Sequence, residues 1–260
     1  MSNAPQVSAV IHTLSSSRFF DDCLKSVKCQ TLHAAHIIVV CDTVPLPKAQ
    51  QQGLEQVTTP FFVAVDDDMI LYQDCFEKLL ASISQNEQCA DMAYRLRDPI
   101  LGNVVGIHIY RTEPVKRIGF WHPEAKDPKR LMRTKLIENY FLCKYSPEIV
   151  GQHHPSYTPE EIFAKFRYHG EKLVYYQKDK TRLNYFIDKL ASFWQRHQSW
   201  LIVYAWAGLF AGITGETTAA PLDADRLRKH NLLALLQKRL PIIEASERPT
   251  SKASTSCRKH

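Results

Sequence analysis

Apolar positions along the chain change their period several times, and each change predicts an element. Residues 7–14 (VSAVIHTL) read as a first strand, and Phe20, Cys23, Leu24 and Val27 then recur at helical spacing as far as Gln30. Residues 37–40 (IIVV) form a second short strand ending at Asp42, after which Val44, Pro45, Leu46 and Pro47 interrupt regular structure and 48–57 suits a helix. In 61–71 (FFVAVDDDMIL) five apolar residues run straight into three aspartates, the pattern of a central strand buried on both faces. Phe76, Leu79, Leu80 and Ile83 follow as a helical stripe with Gln85, Asn86 and Glu87 as its polar exit. Strand and helix alternating three times predict an α/β fold on a parallel sheet with right-handed crossovers.

The second half changes character. Residues 92–96 and 104–110 are predicted strands around the turn Asp98, Pro99, Gly102 and Asn103, a mixed-sheet extension. Asp127 and Pro128 suit the N-cap and first residue of a helix running to about Phe141. Thr158 and Glu161 have capping-box spacing, Ile162, Phe163 and Phe166 point that helix inward, and Gly170 is its expected stop. Residues 198–215 (QSWLIVYAWAGLFAGITG) hold no ionisable acid or base but a tyrosine. Their apolar heart, 200–213, would span only about 21 Å as a helix, against a bilayer core of about 30 Å. It reads first as a helix buried or facing an oligomer partner, and next as an interfacial segment. Lys178, Lys180, Arg182, Lys189 and Arg196 before it would suit the anionic inner face of a membrane. A last amphipathic helix is expected over 223–240, and a disordered tail over 244–260. The expected organisation is an α/β domain over 1–156, a helical C-terminal extension over 157–243, and the tail.

Composition narrows the setting. With 260 residues and 45% hydrophobic content the chain can bury one good core and a smaller attached part. A net charge of +6, part of it in the last nine residues, gives no case for a nucleic-acid partner. Seven cysteines are scattered with no CxxC pair, which fits a reducing compartment. The first residues lack the basic and apolar regions of a secretory signal, so a cytoplasmic protein is expected.

The chemistry concentrates at Asp66, Asp67 and Asp68, because ligands of such sheets bind beyond the carboxyl ends of the strands. Two carboxylates about 6 Å apart repel by roughly 3 kcal/mol at an effective dielectric near 20, and a divalent cation relieves that repulsion. Mg²⁺ or Mn²⁺ held by one or two carboxylates and the phosphates of a nucleotide diphosphate is the leading reading. The alternative is an acidic turn capping the next helix.

In order and placement, VSAVIHTLSSSRFFDDCLKSVKCQTL, IIVVCD and FFVAVDDDMIL resemble the first strand and helix, the second strand and the DxD strand of a family 2 glycosyltransferase with the GT-A fold. The resemblance extends less clearly through VKRIGFWHPEAKD to HHPSYTPEE, about two-thirds of the chain. It implies a GT-A mixed, mainly parallel sheet with flanking helices. It also implies divalent-metal-dependent transfer of a sugar from a nucleotide-sugar donor, a UDP-sugar favoured, to a surface glycan or lipid-linked acceptor, with inversion by the family's direct displacement. By the same resemblance Asp42 would meet the donor's base or ribose, Asp66 and Asp68 would hold the metal and donor, and Asp67 is the motif's variable middle. Asp127, and after it Glu124, would take the acceptor's proton. His153 or His154 would complete the metal shell, Lys129, Arg130 and Arg133 would meet phosphate, and Arg111 would line the donor site.

The chain departs from the family in two places. The interval from Asp42 to Asp66 omits a strand and helix of the usual nucleotide pocket, and the usual Glu-Asp pair is split, since Ala125 and Lys126 separate Glu124 from Asp127. A non-catalytic module on the same fold is therefore the second reading. A nucleotidyltransferase is the third, because the stretch after the first strand, HTLSSSRFF, has no glycine for a phosphate loop. Peripheral membrane contact and a homo-oligomer remain expectations from residues 198–215.

Overall fold

The computed structural model describes residues 7–120, 127–175, 180–197, 199 and 201–215, all within one compact unit, Met1–Thr217. The expected helix at 223–240, the tail at 244–260 and Trp200 lie outside the described residues. The elements run β1 (Val7–Thr13), α1 (Phe20–Lys28), β2 (His36–Cys41), α2 (Leu46–Gln56), β3 (Phe61–Asp66), β4 (Met69–Leu71), α3 (Cys75–Ser84), β5 (Cys89–Asp98), β6 (Gly102–Arg111), α4 (Thr112–Ile118), α5 (Pro128–Glu138), β7 (Leu142–His153), α6 (Pro159–Tyr175), α7 (Lys180–His197) and α8 (Leu201–Thr214).

One seven-stranded sheet is ordered β2-β1-β3-β6-β5-β7-β4. β1 lies parallel to both β2 and β3, whereas β6 runs antiparallel to β3 and β5. β7 is parallel to β5 and antiparallel to β4. The continuous apolar runs in β1 and β3 follow from helices on both faces. Ala9, Ile11, Val63 and Val65 pack under α1 and α3 with Cys23, Val27, Phe76 and Leu79. Val10, Phe62 and Ala64 pack on the other face with Leu54 of α2, Val115 of α4, and Met132 and Leu136 of α5. The parallel pairing brings the carboxyl ends of β2, β1 and β3 to one edge, with His12 opposite Asp66 and Thr13 opposite Cys41.

α5 ends at Glu138, short of the expected Phe141, because Tyr140 turns the chain at φ +63° and β7 starts at Leu142. β7 and α4 have no counterpart in the apolar pattern. α6 carries the expected cap, with Glu161 N–H donating to Thr158 Oγ1 at 3.2 Å and Thr158 N–H to Glu161 Oε2 at 2.7 Å. It does not stop at Gly170, which is instead a buried contact of a helix that continues to Tyr175.

The apolar segment is a helix, α8, laid against α6 through glycines on both sides. A Cβ at Gly208 would overlap the Phe163 carbonyl oxygen, one at Gly212 the Arg167 carbonyl, and one at Gly170 the Leu209 carbonyl. No described helix is long and apolar enough to cross a membrane. Because backbone meets backbone here, no side chain can give way. Gly212→Ala is expected to cost about 1–3 kcal/mol, the usual penalty of overpacking, and to lower the thermal midpoint by several degrees. An unchanged midpoint in calorimetry would show that the two helices separate freely.

Candidate active site

The backbone leaves β3 at Asp66, turns through Asp67 and Asp68, and re-enters the sheet as β4, which pairs with the end of β7. That pairing carries His153 and His154 to the aspartates: Met69 sits opposite His153, and His154 N–H donates to the Asp68 carbonyl at 2.7 Å. Asp66 and Asp68 form a ridge between two clefts. The first, of ≈ 450 Å³, is lined by His12, the loop after β1 including Arg18 and Phe19, Thr43, Val44, all three aspartates, His154 and Glu161. The second, of ≈ 380 Å³, shares Asp66, Asp68 and His154 and adds Asp98, His108, Lys129, His153, Lys165 and His169.

Asp66 is balanced by a cation from α5 and has a buried imidazole of β1 beside it. Its Oδ2 accepts from Lys129 Nζ at 3.0 Å, and its Oδ1 lies 4.0 Å from His12 Nδ1. Burial works against an ionised Asp66, but Lys129 and then His12 outweigh it and hold the carboxyl below its usual range. Burial alone would lower Lys129, and Asp66 instead keeps it raised. His12 is 6% exposed, and burial pulls its imidazole below the ordinary value against Asp66. Neither of its ring nitrogens has a well-formed hydrogen bond.

On the other side, Asp98 is buried at the end of β5. Its Oδ1 accepts from Ile100 and Leu101 N–H, and its Oδ2 from Tyr157 at 2.7 Å and Lys165 at 2.9 Å. His153 Nδ1 lies 3.1 Å from the same oxygen, and His153 Nε2 lies 3.6 Å from Asp68 Oδ2. Tyr157 is also bonded to Lys165. Burial opposes ionisation of Asp98, and its bonds to His153 and Lys165 overcome that and hold it far below the usual range. With Nδ1–H donating to Asp98, the His153 Nε2 lone pair faces Asp68 and a cation completes the pair. With Nδ1 accepting from Lys165 at 3.2 Å, Nε2–H serves Asp68 itself.

These groups fit a hard divalent cation in a specific way. Asp66 Oδ1 and Asp68 Oδ1 are buried acceptors without hydrogen-bond partners. No group of three or more His, Cys, Asp or Glu side chains is gathered around one point among the described residues. Mg²⁺ or Mn²⁺ needs only one or two carboxylates when substrate phosphate and water fill the remaining positions.

The other expected site residues are distributed unevenly. Asp67 Oδ2 accepts from Leu14 N–H at 3.3 Å and lines the first cleft. Asp42 stands exposed at the tip of β2 with φ +51°, and its Oδ1 accepts from Ser15 N–H at 2.7 Å, a bond that lowers its pKa. It thereby ties the loop after β1 to β2 at the rim. His154, at φ +50°, stacks on Tyr157 at 3.7 Å and packs against Phe19, so it is a wall of the first cleft. Asp127 lines neither cleft: Oδ1 caps α5 at Arg130 N–H, and Oδ2 lies 3.2 Å from Lys172. Arg130 is exposed on α5 away from both clefts. Arg111 is not brought to the site, because it sits opposite Phe61 at the far end of β3 and donates to the carbonyls of Ile83, Asn86 and Cys89. Arg133 meets Asp91 at 3.0 Å rather than the clefts. Glu124 lies outside the described residues.

Sequence spacing missed His12, Arg18, His108 and Lys165 as site residues, and it marked Asp98 and Glu161 only as a turn residue and a capping residue. Arg18 grips Glu161 with two hydrogen bonds, at 2.8 and 2.9 Å, from the loop before α1 to α6.

Two outcomes test this electrostatic arrangement. Lys129→Met is expected to lower stability by about 1–2 kcal/mol, since the ion pair is only part-buried, and to make Mn²⁺ alone stabilise the variant more than the wild type. Equal Mn²⁺ shifts in both proteins would count against Lys129 as the resting counter-ion. Asp98→Asn is expected to cost roughly 3–5 kcal/mol at pH 7 in urea unfolding. Because the folded Asp98 pKa is depressed, its contribution is complete above the ordinary carboxylate range and is lost as pH falls through the lower folded value. The gap between the two proteins therefore narrows below about pH 4.

No family model matches the chain, and no curated protein matches it in sequence. Among solved structures it is similar to the mannosyltransferase PcManGT from Pyrobaculum calidifontis in complex with GDP-Man and Mn²⁺, at 13% identity and a TM-score of 0.53, over 91% of this chain and 81% of that one. S. aureus TarS 1-349 aligns at 15% identity and a TM-score of 0.49, over 80% and 81%. A CMP:2-keto-3-deoxy-manno-octonic acid synthetase complexed with CTP aligns at 9% identity and 0.42, over 56% and 91%. Only the first score bears on architecture, and with the mixed seven-stranded sheet it gives the chain a mixed α/β, GT-A-like fold.

Proposed function

We propose that this protein is a glycosyltransferase that moves a sugar from a nucleoside-diphosphate donor, a UDP-sugar favoured, to a hydroxyl of a surface glycan or lipid-linked acceptor. The observation that carries this reading is the ridge of Asp66 and Asp68 with a cleft on each side, each carboxylate keeping one buried oxygen without a hydrogen-bond partner. A group-transfer enzyme needs two substrates to meet at one point, and a pair of clefts divided by two carboxylates supplies that arrangement. The first cleft is the donor side, since the β1 loop, Thr43 and Val44 ring it at the carboxyl ends of β1 and β2.

Asp68, with Asp66, would hold Mn²⁺ or Mg²⁺, which supplies positive charge for the departing diphosphate. Lys129 and Arg18 are the cations that can turn toward that charge once their carboxylate partners are otherwise engaged. Displacement of the diphosphate in one step from the acceptor cleft inverts the anomeric carbon. A cytoplasmic enzyme working at the inner face of a membrane accords with such an acceptor, and α8 is the candidate for that contact.

Thermal unfolding with UDP, GDP, CDP and dTDP, each with and without Mn²⁺, tests the donor site. A ligand at 100 times its dissociation constant adds about 2.7 kcal/mol, so the midpoint should rise by several degrees with one nucleotide and metal, and not in Asp68→Ala. The absence of any rise favours the non-catalytic module, the reading that Lys129 seated on Asp66 also suits.

A further inference from the structure

We infer that His108, aligned by Asp91, is the group that takes the proton of the acceptor hydroxyl; the inference rests on the transferase reading above. His108 lies on β6 opposite Ala64 of β3, two residues before Asp66, and lines the second cleft together with Asp66, Asp68 and Lys129. Its ring is 5% exposed and stacked on Tyr110 at 5.5 Å with 7° between the planes. Its Nδ1 lies 2.8 Å from Asp91 Oδ1, and Asp91 is fully buried on β5. A carboxylate accepts only, so Nδ1 carries the hydrogen and donates, and the neutral ring keeps its lone pair on Nε2. Nε2 is the nitrogen left to meet a ligand in the cleft.

Packing alone does not account for this pair. Asp91 Oδ2 already lies 3.0 Å from Arg133 of α5, which balances its charge without a histidine. A buried ionic cluster of this kind is generally no more stable than well-packed apolar residues. What a second, buried carboxylate contact adds to an imidazole is a fixed tautomer and ring direction, the arrangement that general-base histidines use. Tyr110, stacked on His108 and on Phe62, holds the ring plane from the other side. Asp127, by contrast, has one oxygen on its own helix and the other beside Lys172, and it faces neither cleft.

The step balances. The acceptor O–H gives its proton to His108 Nε2 as an oxygen lone pair forms the bond to the anomeric carbon. The bond from that carbon to the diphosphate breaks, and its electron pair leaves on the diphosphate oxygen. The imidazolium, beside Asp91, then returns the proton to water.

The test compares the full-length wild type, His108→Gln, Asp91→Asn and Asp127→Asn. Nucleotide binding is read from thermal shifts with the four nucleoside diphosphates and Mn²⁺. Turnover is read as nucleoside diphosphate released from UDP-glucose, UDP-N-acetylglucosamine and GDP-mannose, with glycerol in excess as a simple alcohol acceptor. His108→Gln should lose about 100-fold or more in kcat while its nucleotide shifts stay as in the wild type. Asp91→Asn, acting through the ring, should lower kcat with the donor KM unchanged. Release by His108→Gln at the wild-type rate, or loss in Asp127→Asn alone, overturns the assignment. A wild type that binds nucleotide yet releases none also overturns it, and a wild type that binds none removes the transferase reading and this inference with it. If His108→Gln does not fold, nitrogen NMR of the wild-type ring decides: the neutral form should carry its proton on Nδ1, and a proton on Nε2 rules His108 out as the base.

Discussion

Carboxylates at the mouth of a buried strand carry charge where the sheet offers them little water, and the structure is organised around that constraint. β3 is apolar and covered on both faces up to Val65, and Asp66 follows at once. Its charge is met by Lys129 from α5, and the buried His12 ring lies beside it across the β1 register. One helical turn further along α5, Arg133 meets the buried Asp91. Lys129 and Arg133 are four residues apart and so share one face of the helix, while Met132 and Leu136 enter the core. α5 is therefore seated by two ion pairs and an apolar stripe together.

The parallel half of the fold was legible because its signal is local. β1, α1, β2, α2, β3 and α3 each bury a run or a stripe, and the apolar pattern marks them within a few residues. β7 was not legible: in LCKYSPEIVGQH most side chains are exposed or half-exposed, and only Val150 and Gly151 are buried. Its place is set by backbone pairing to β5 and β4, which leaves no hydrophobic trace. Gly170 misled for a related reason, since the absence of a side chain marks a helix end and a close helix contact equally well.

The site divides the same way. Asp66 and Asp68 announce themselves by adjacency, whereas the groups around them come from separate strands and helices. Asp91 and His108 are polar residues among buried apolar neighbours of β5 and β6, 17 positions apart, brought together by the antiparallel register of the two strands. A sequence shows each of them as an anomaly of burial, and only the register makes them a pair. Asp98, His153, Tyr157 and Lys165 likewise become one network through β7 and α6.

α6 joins two regions of different kind. Near its start Glu161 holds Arg18 on the wall of the first cleft and Lys165 holds Asp98 beneath the second, while further along Gly170 lies against the backbone of α8. Side chains usually cushion one helix from another, and here the cushion is missing. A force on α8 would meet no soft layer to deform and would pass into α6 as into a lever, whose short arm ends among the groups that shape both clefts.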